Sequence, residues 1–157
     1  MPKTVIVNST PIIALLGIGQ LDILNSLYGD IIIPEAVRDE VSVKDEHALI
    51  NYSWIKVNAI SNVAAKEAFI SSLHDGEVEV MILAKEHDAD LVIIDDGLAR
   101  RYAKYQGLTV TGTVGVLCRA KQNGVINSIK PLLDDLCGFG FYISDNVFKE
   151  ALRLAGE

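Results

Sequence analysis

The stretch that decides the fold is Leu91-Val92-Ile93-Ile94-Asp95-Asp96. Its four consecutive apolar residues are typical of a strand buried on both faces, as in the middle of a parallel sheet. Two carboxylates stand where the strand should end, and from Gly97 onward apolar residues recur at helical spacing. In an open α/β sheet, ligands bind at the carboxyl ends of the strands. A functional site is therefore expected at the edge that follows residues 91–94.

Other short apolar runs predict further strands at Val5-Ile6-Val7, Ile31-Ile32-Ile33 and Leu108-Thr109-Val110, and alternation over residues 54–60 predicts a short or edge strand. Helical patterns separate and follow these runs, at residues 11–16, 21–27, 35–41, 45–52, 62–73, 77–85, 97–105, 114–121, 131–136 and 146–154. Strands that alternate with helices predict a parallel sheet with right-handed crossovers and helices on both faces.

The composition predicts one domain. The chain has 157 residues, half of them hydrophobic, and no linker or biased tract, so residues 1–157 are expected to fold together, with a helical tail over about 128–157. Apolar runs are too short to span a bilayer, and the first residues lack the apolar core of a secretory signal. Cys118 and Cys137 are expected to be buried free thiols. These features favour a cytoplasmic protein without a membrane segment.

The formal net charge of −7 argues against sequence-independent DNA binding, which depends on Lys and Arg that neutralise phosphates. A local basic patch or a bound metal ion can still reverse the field at one site. Arg100 and Lys104 share one face of the helix after Asp96 and are candidate phosphate contacts. An ordinary exposed helix face is the alternative explanation for this pair.

Oxygen-bearing side chains fall at the same end of the predicted sheet: Asn8, Glu40, Asp75, Glu77, Glu79, Asp95 and Asp96. A cluster of such ligands without His or Cys favours Mg²⁺ or Mn²⁺ over zinc. Such ions activate water and stabilise charge on a phosphoryl oxygen. The sequence therefore predicts a site for a hard divalent cation.

Each of these residues also has a purely structural explanation. Asp96 is a good N-cap for the helix that starts at Gly97, Asn8 can cap the first helix, and Glu40 can be a solvated helix residue. Asp75 and Glu79 are four apart, a spacing at which like charges repel by about 0.2–0.5 kcal/mol. Taken singly the residues favour structural roles, and taken together at one edge they favour a site.

Several segments together resemble the PIN-domain proteins, and in particular a prokaryotic PIN-like branch related to the VapC toxins of toxin–antitoxin pairs. The resemblance lies in residues 5–15, 33–41, 75–79, 94–100 and 112–117, and in the tail from residue 138. The order and spacing of these segments carry the resemblance, since no single motif among them is specific.

The resemblance implies a three-layer, Rossmann-like α/β/α sandwich and a Mg²⁺- or Mn²⁺-dependent ribonuclease acting on RNA, with an antitoxin as a possible protein partner. The implied catalytic positions are Asn8, Glu40, Glu79 and Asp96, with Glu77 as the alternative to Glu79 and Asp95 as a further metal ligand. Asn8 departs from the family, because an amide replaces a carboxylate and removes a negative charge. Metal affinity and water activation are expected to fall as a result.

Two other functions compete with this prediction. The first is a catalytically weak or inactive module of the same fold that binds nucleic acid or a protein partner. The second is a receiver domain. It is disfavoured because the acidic pair of a receiver domain follows the first strand, whereas the acidic pair of this chain follows residues 91–94. A homodimer is a further prediction, drawn from the aromatic residues Tyr28, Trp54, Phe139, Phe141 and Tyr142, which belong to the monomer core in the alternative interpretation.

Overall fold

A parallel sheet of five strands forms the centre of the molecule, in a computed structural model that describes residues 2–69 and 72–157. The strands are β1 (Val5–Val7), β2 (Ile31–Pro34), β3 (Ile55–Asn58), β4 (Leu91–Ile93) and β5 (Val110–Thr111). They lie in the order β3-β2-β1-β4-β5. Strands β2 and β3 lie on one side of β1, and β4 and β5 lie on the other side. The topological switch point is therefore between β1 and β4. Ligands of open α/β sheets bind at such a point.

Nine α-helices among the described residues flank this sheet and complete the predicted three-layer α/β/α sandwich. They are α1 (Ser9–Gly17), α2 (Asp22–Tyr28), α3 (Glu35–Lys44), α4 (Val63–Glu67), α5 (Asp75–Glu86), α6 (Gly97–Tyr105), α7 (Thr113–Gln122), α8 (Lys130–Phe139) and α9 (Asp145–Leu154). Helix α5 packs on β1 and β2 and against α3, whereas α7 packs against α2 and α9.

The apolar runs form strands because both faces of the sheet are covered. Val5–Val7 is buried along its whole length, and so is Leu91–Ile93. Burial of one such side chain contributes about 1.5–3 kcal/mol, which is why these short strands hold together. Strand β3 is the edge strand that the alternating pattern predicted, and its middle residues Lys56 and Val57 are exposed.

The structure departs from the sequence predictions at two helical segments and at both cysteines. The helix predicted over residues 62–73 is helical only at Val63–Glu67, where Asn62 accepts the capping hydrogen bond of Ala65 N at 3.1 Å. Residues 70 and 71 of that segment lie outside the described residues. The segment predicted as helical over 45–52 contains a single 3₁₀ turn, Ala48–Asn51. The thiols also differ from the prediction, since Cys118 is half-buried and Cys137 is exposed.

No single helix within residues 2–69 and 72–157 is long and apolar enough to cross a membrane. The pair α1 and α2, bent by 120°, meets the same test of length and composition only when both helices are counted as one span.

Candidate functional site

Asn8 lies at the switch point, directly after β1. Its backbone N–H donates to the carbonyl of Ile93 at 2.9 Å, which fixes the end of β1 to the end of β4. The residue occupies the N-cap position of α1, yet its side chain makes no capping hydrogen bond. Asn8 is only 3% exposed, and its buried Oδ1 has no hydrogen-bond donor in the described residues. The side chain of Asn8 therefore does not cap α1, and helix capping does not explain this residue.

Glu40 of α3 reaches the same region. Ser9 Oγ donates to Glu40 Oε2 at 2.8 Å, and Glu40 Oε1 is a second buried oxygen without a donor in the described part of the chain. Gly76 of α5 passes so close that a Cβ at this position would overlap Glu40 Oε1. Three helices thus converge on Glu40, and one of its oxygens stays available for a ligand.

Glu77 of α5 is the carboxylate that faces this group. It is 5% exposed, and its Oε1 accepts the backbone N–H of His74 at 2.9 Å. Burial raises the pKa of Glu77; the bond from His74 lowers this pKa, and the neighbouring charges of Asp96 and Glu40 raise it further. Carboxylates from α3, α5 and the end of β4 therefore repel one another across a small volume.

Glu79, predicted as the third acidic residue, is engaged elsewhere. Its Oε1 accepts the backbone N–H of Ala36 at 3.1 Å, and its Oε2 pairs with Lys66 Nζ at 2.7 Å. Lys66 Nζ also lies 3.9 Å from Asp75, so a cation separates the two like charges at this spacing. Residues two apart on a helix point about 200° away from each other, so Glu77 and Glu79 cannot both face Asp96. The alternative, Glu77, fits this geometry.

Asp95, predicted as a metal ligand, instead anchors α7. Its two oxygens accept Thr113 N at 2.8 Å and Thr113 Oγ1 at 2.6 Å. Burial raises the pKa of Asp95, and the bonds from Thr113 and the charge of Arg100 offset part of that rise. Because both oxygens are engaged, Asp95 stabilises the wall of the site and does not fit the ligand role.

Asp96 performs the capping role considered from the sequence and still lies beside the other acids. Its Oδ2 accepts Ala99 N at 2.9 Å at the start of α6, and the side chain is exposed. Its charge contributes to the raised pKa of Glu77, so the two carboxylates interact electrostatically. One oxygen thus caps the helix while the residue as a whole contributes to the cluster.

A cavity of about 560 Å³ adjoins Asp96. Arg100 lines it and lies beside Asp95, as its effect on the pKa of that carboxyl indicates. A Cβ at Gly112 would come within 2.8 Å of both Arg100 Nη1 and Asp95 Oδ1, so a larger residue here would displace one of these side chains. Lys104, one turn further along α6, is exposed and lies outside the lining of this cavity. The predicted phosphate pair is therefore divided, and Arg100 alone adjoins the acids.

The donor set of this cluster fits a hard divalent cation. Asn8 and Glu40 each present a buried oxygen that has no donor within residues 2–69 and 72–157, and Glu77 and Asp96 add two carboxylates. Within the described residues, no three His, Cys, Asp or Glu side chains already form a group that could hold a metal ion. Glu77 and Asp96 each direct one oxygen to a helix-start N–H.

Three partners of the site could not be identified from the sequence: Ser9, Lys66 and Thr113. Each is a common capping or surface residue type, and its role depends on a contact with a residue at least 13 positions away. The sequence offers one signal for choosing between the two acids of α5. Once the start of the helix is known, its register shows that Glu77 and Glu79 point to different sides.

Comparison with known protein families identifies the family of this chain. A family model described as DUF3368: PIN domain matches residues 4–157. The chain belongs to the PIN-domain family. PIN domains are generally divalent-metal-dependent nucleases, and the resemblance found in the sequence is confirmed.

A solved structure supports the fold of this PIN-domain chain. It is a PilT N-terminus domain protein from the hyperthermophilic archaeon Sulfolobus solfataricus P2, with a TM-score of 0.56 and 20% sequence identity. The match covers 74% of this chain and 92% of the other. No curated protein sequence matches the chain.

Proposed function

We propose that this PIN-domain protein is an endoribonuclease that uses Mg²⁺ or Mn²⁺, with Asn8, Glu40, Glu77 and Asp96 as its site. One observation carries the proposal: among the described residues, two buried oxygens have no hydrogen-bond donor, Asn8 Oδ1 at the switch point of the sheet and Glu40 Oε1 on α3. A buried acceptor without a partner costs about 1–3 kcal/mol, so a fold keeps such groups where a ligand completes them. The repulsion between Glu77 and Asp96 is a second argument for a cation.

The residues of the proposed site have different roles in phosphodiester cleavage. Asn8 and Glu40 supply oxygens from fixed positions, because β-strand pairing holds Asn8 and Ser9 holds Glu40. Glu77 and Asp96 supply charge and can each offer an oxygen at the mouth of the site. A bound Mg²⁺ or Mn²⁺ supplies water activation and neutralises charge that develops on the phosphate. Arg100 is the candidate contact for that phosphate.

The test combines thermal stability with RNA cleavage. Mn²⁺ is expected to raise the Tm of the wild-type chain and to support cleavage of a single-stranded RNA, and Asp96→Asn is expected to abolish both effects. Asp135→Asn is the matched control, because Asp135 is an exposed acid on α8, outside the site. An unchanged Tm in millimolar Mn²⁺, together with intact RNA, would refute the proposal.

A non-catalytic RNA-binding or protein-binding module is the second candidate, and Asn8 is the observation that favours it. An amide at this position lowers the negative charge of the site by one relative to a carboxylate, and cation affinity falls with it. The variant Asn8→Asp separates the two functions. Gain of Mn²⁺ binding and of cleavage only in the variant would indicate a degenerate site, whereas cleavage by the wild type excludes this candidate.

We further propose that the protein acts in the cytoplasm as the toxin of a toxin–antitoxin pair. This role rests on the resemblance to the VapC-related branch. Expression of the chain in bacteria is expected to arrest growth, and co-expression of a small reading frame adjacent to its gene is expected to restore it. Normal growth on expression of the chain alone, with the protein present in the cells, would contradict the toxin role.

A further inference from the structure

An exposed aromatic ring stands beside the candidate site. Tyr142 lies between α8 and α9 and is 85% exposed, although the segment around it is anchored. Gly140 ends α8 with φ +101°, a conformation that favours glycine, and Phe141 N–H then donates to the carbonyl of Leu136 at 2.9 Å. Phe141 packs against the core. The backbone therefore fixes the point from which the Tyr142 ring projects.

Tyr142 and one residue of the candidate site, Asp96, line the same cavity. The space of about 560 Å³ that contains Asp96 and Arg100 on its wall is also lined by Tyr142, Thr10 and Ser144. A cavity of this size is in the range of small-ligand sites, at about 300–1,000 Å³. One wall thus carries a carboxylate of the proposed cluster and a guanidinium, and the rim carries two hydroxyls and an aromatic ring.

We propose that this cavity takes one unpaired nucleotide of a single-stranded RNA, with its base stacked on Tyr142 and its phosphate on Arg100. The inference rests on the proposed function and names how the same site would hold its substrate. Stacking is attractive for every base and does not depend on positive charge. It therefore offers affinity to a chain whose formal net charge is −7 and whose cavity, in the described part of the chain, is lined by one cationic side chain, Arg100.

A second copy of the chain is the competing occupant of an exposed aromatic surface. Of the aromatic residues that suggested a homodimer, Tyr28 is buried, and Trp54 packs edge-to-face on Tyr52 at 5.7 Å, so these belong to the monomer. Tyr142 differs from them because its cavity combines apolar lining residues with two carboxylates, Asp95 and Asp96, and the guanidinium of Arg100. This setting suits a nucleotide, which presents a flat base and a charged phosphate together, better than an apolar protein face.

The experiment measures RNA binding without cleavage. The full chain, in buffer with EDTA, is titrated into a short, unstructured, fluorescein-labelled RNA, and anisotropy gives the dissociation constant. Tyr142→Ala is expected to weaken binding about tenfold, and Tyr142→Phe is expected to retain the wild-type affinity because it keeps the ring. Tyr105→Ala is the control, because Tyr105 is 93% exposed on α6 outside this cavity. With one phosphate contact, the plot of log affinity against log salt is expected to have a slope of about −0.7.

Several outcomes overturn the inference: equal affinity of Tyr142→Ala and wild type, an equal loss in Tyr142→Phe, or no RNA binding by the wild type. It is also overturned if Tyr142→Ala changes the oligomeric state in sedimentation while RNA affinity stays the same. The proposed function fails separately. If the wild type binds RNA through Tyr142 yet leaves it intact in Mn²⁺, the stacking site stands and the nuclease does not.

Discussion

The choice between Glu77 and Glu79 as the third acid gives the sharpest prediction. The variant Glu77→Gln keeps an acceptor for His74 N but removes one charge beside Asp96 and Glu40. At free Mn²⁺ about a hundredfold above the dissociation constant, binding stabilises the fold by about 2.7 kcal/mol, which raises the Tm of a chain of this size by about 5–10 °C. Loss of a charged ligand weakens the affinity by at least about 10–100-fold, so the shift is expected to fall to about 1–5 °C or less.

Without metal, the sign of the effect reverses. The pKa of Glu77 is raised by burial first and then by Asp96 and Glu40, so its charged form opposes folding near neutral pH. Glu77→Gln is therefore expected to match or exceed the wild-type Tm when EDTA is present. As the pH falls through the raised pKa, protonation relieves the same repulsion in the wild type. The stability difference between the two proteins is then expected to close.

Glu79→Gln is the matched control, two residues along the same helix. It loses the ion pair with Lys66 at 2.7 Å, in which the Glu79 side chain is 11% exposed. Breaking such a contact costs about 1–3 kcal/mol, so the metal-free Tm is expected to fall while the Mn²⁺ shift remains. Differential scanning fluorimetry with a Mn²⁺ titration measures both quantities. A shift that survives Glu77→Gln and disappears in Glu79→Gln would refute the assignment of the third acid.

Three further changes test the surroundings of the site and the tail. Gly76→Ala puts a Cβ onto the Glu40 carboxylate, and because Ala favours a helix, circular dichroism is expected to stay unchanged while the Mn²⁺ shift in Tm falls. Thr113→Val removes the Oγ1 donor of half-buried Asp95 and is expected to lower the free energy of unfolding in urea by about 1–3 kcal/mol, an effect that largely disappears in an Asp95→Asn background. Backbone and side-chain hydrogen bonds hold the pKa of Glu157 at about 2, below the ordinary 4.5, so its stabilising effect is complete above about pH 5 and is lost as the pH falls toward 2. Urea midpoints across this range are expected to change less in Glu157→Gln, and an unchanged pH dependence would contradict this role.

The strands were predictable because burial on both faces leaves a local signature. Continuous apolar runs such as Val5–Val7 and Leu91–Ile93 need no knowledge of their neighbours to be recognised as interior strands. Right-handed crossovers then determine the layers. The segment after β3 was harder, because a helical pattern over residues 62–73 says little about how many turns tertiary contacts support, and only Val63–Glu67 is helical.

The sequence predicts at which edge of the sheet the proposed site lies, but not which carboxylates are held by other residues. Strand ends place Asn8 and Asp96 at one edge, since parallel strands share their carboxyl ends. The roles of Asp95 and Glu79 depend on partners far along the chain, Thr113 and Lys66, which no local pattern couples to them. Such long-range contacts decide whether a carboxylate is free to bind a metal ion or holds two parts of the fold together. They follow from the tertiary structure and not from the local sequence.

The amide of Asn8 affects two properties of the proposed site, the stability of the metal-free fold and the affinity for a cation. Three carboxylates, Glu40, Glu77 and Asp96, already raise the cost of burying negative charge, as the direction of the Glu77 pKa shows. An aspartate at position 8, almost fully buried, would add a fourth charge and make the metal-free fold less stable. The amide keeps an oxygen in place without that charge, so the proposed site is expected to destabilise the metal-free fold less than an aspartate would and to bind a cation more weakly. The same exchange predicts opposite effects of Asn8→Asp on the Tm in EDTA and on the affinity for Mn²⁺, and a variant that raises both would show that charge repulsion does not govern this site.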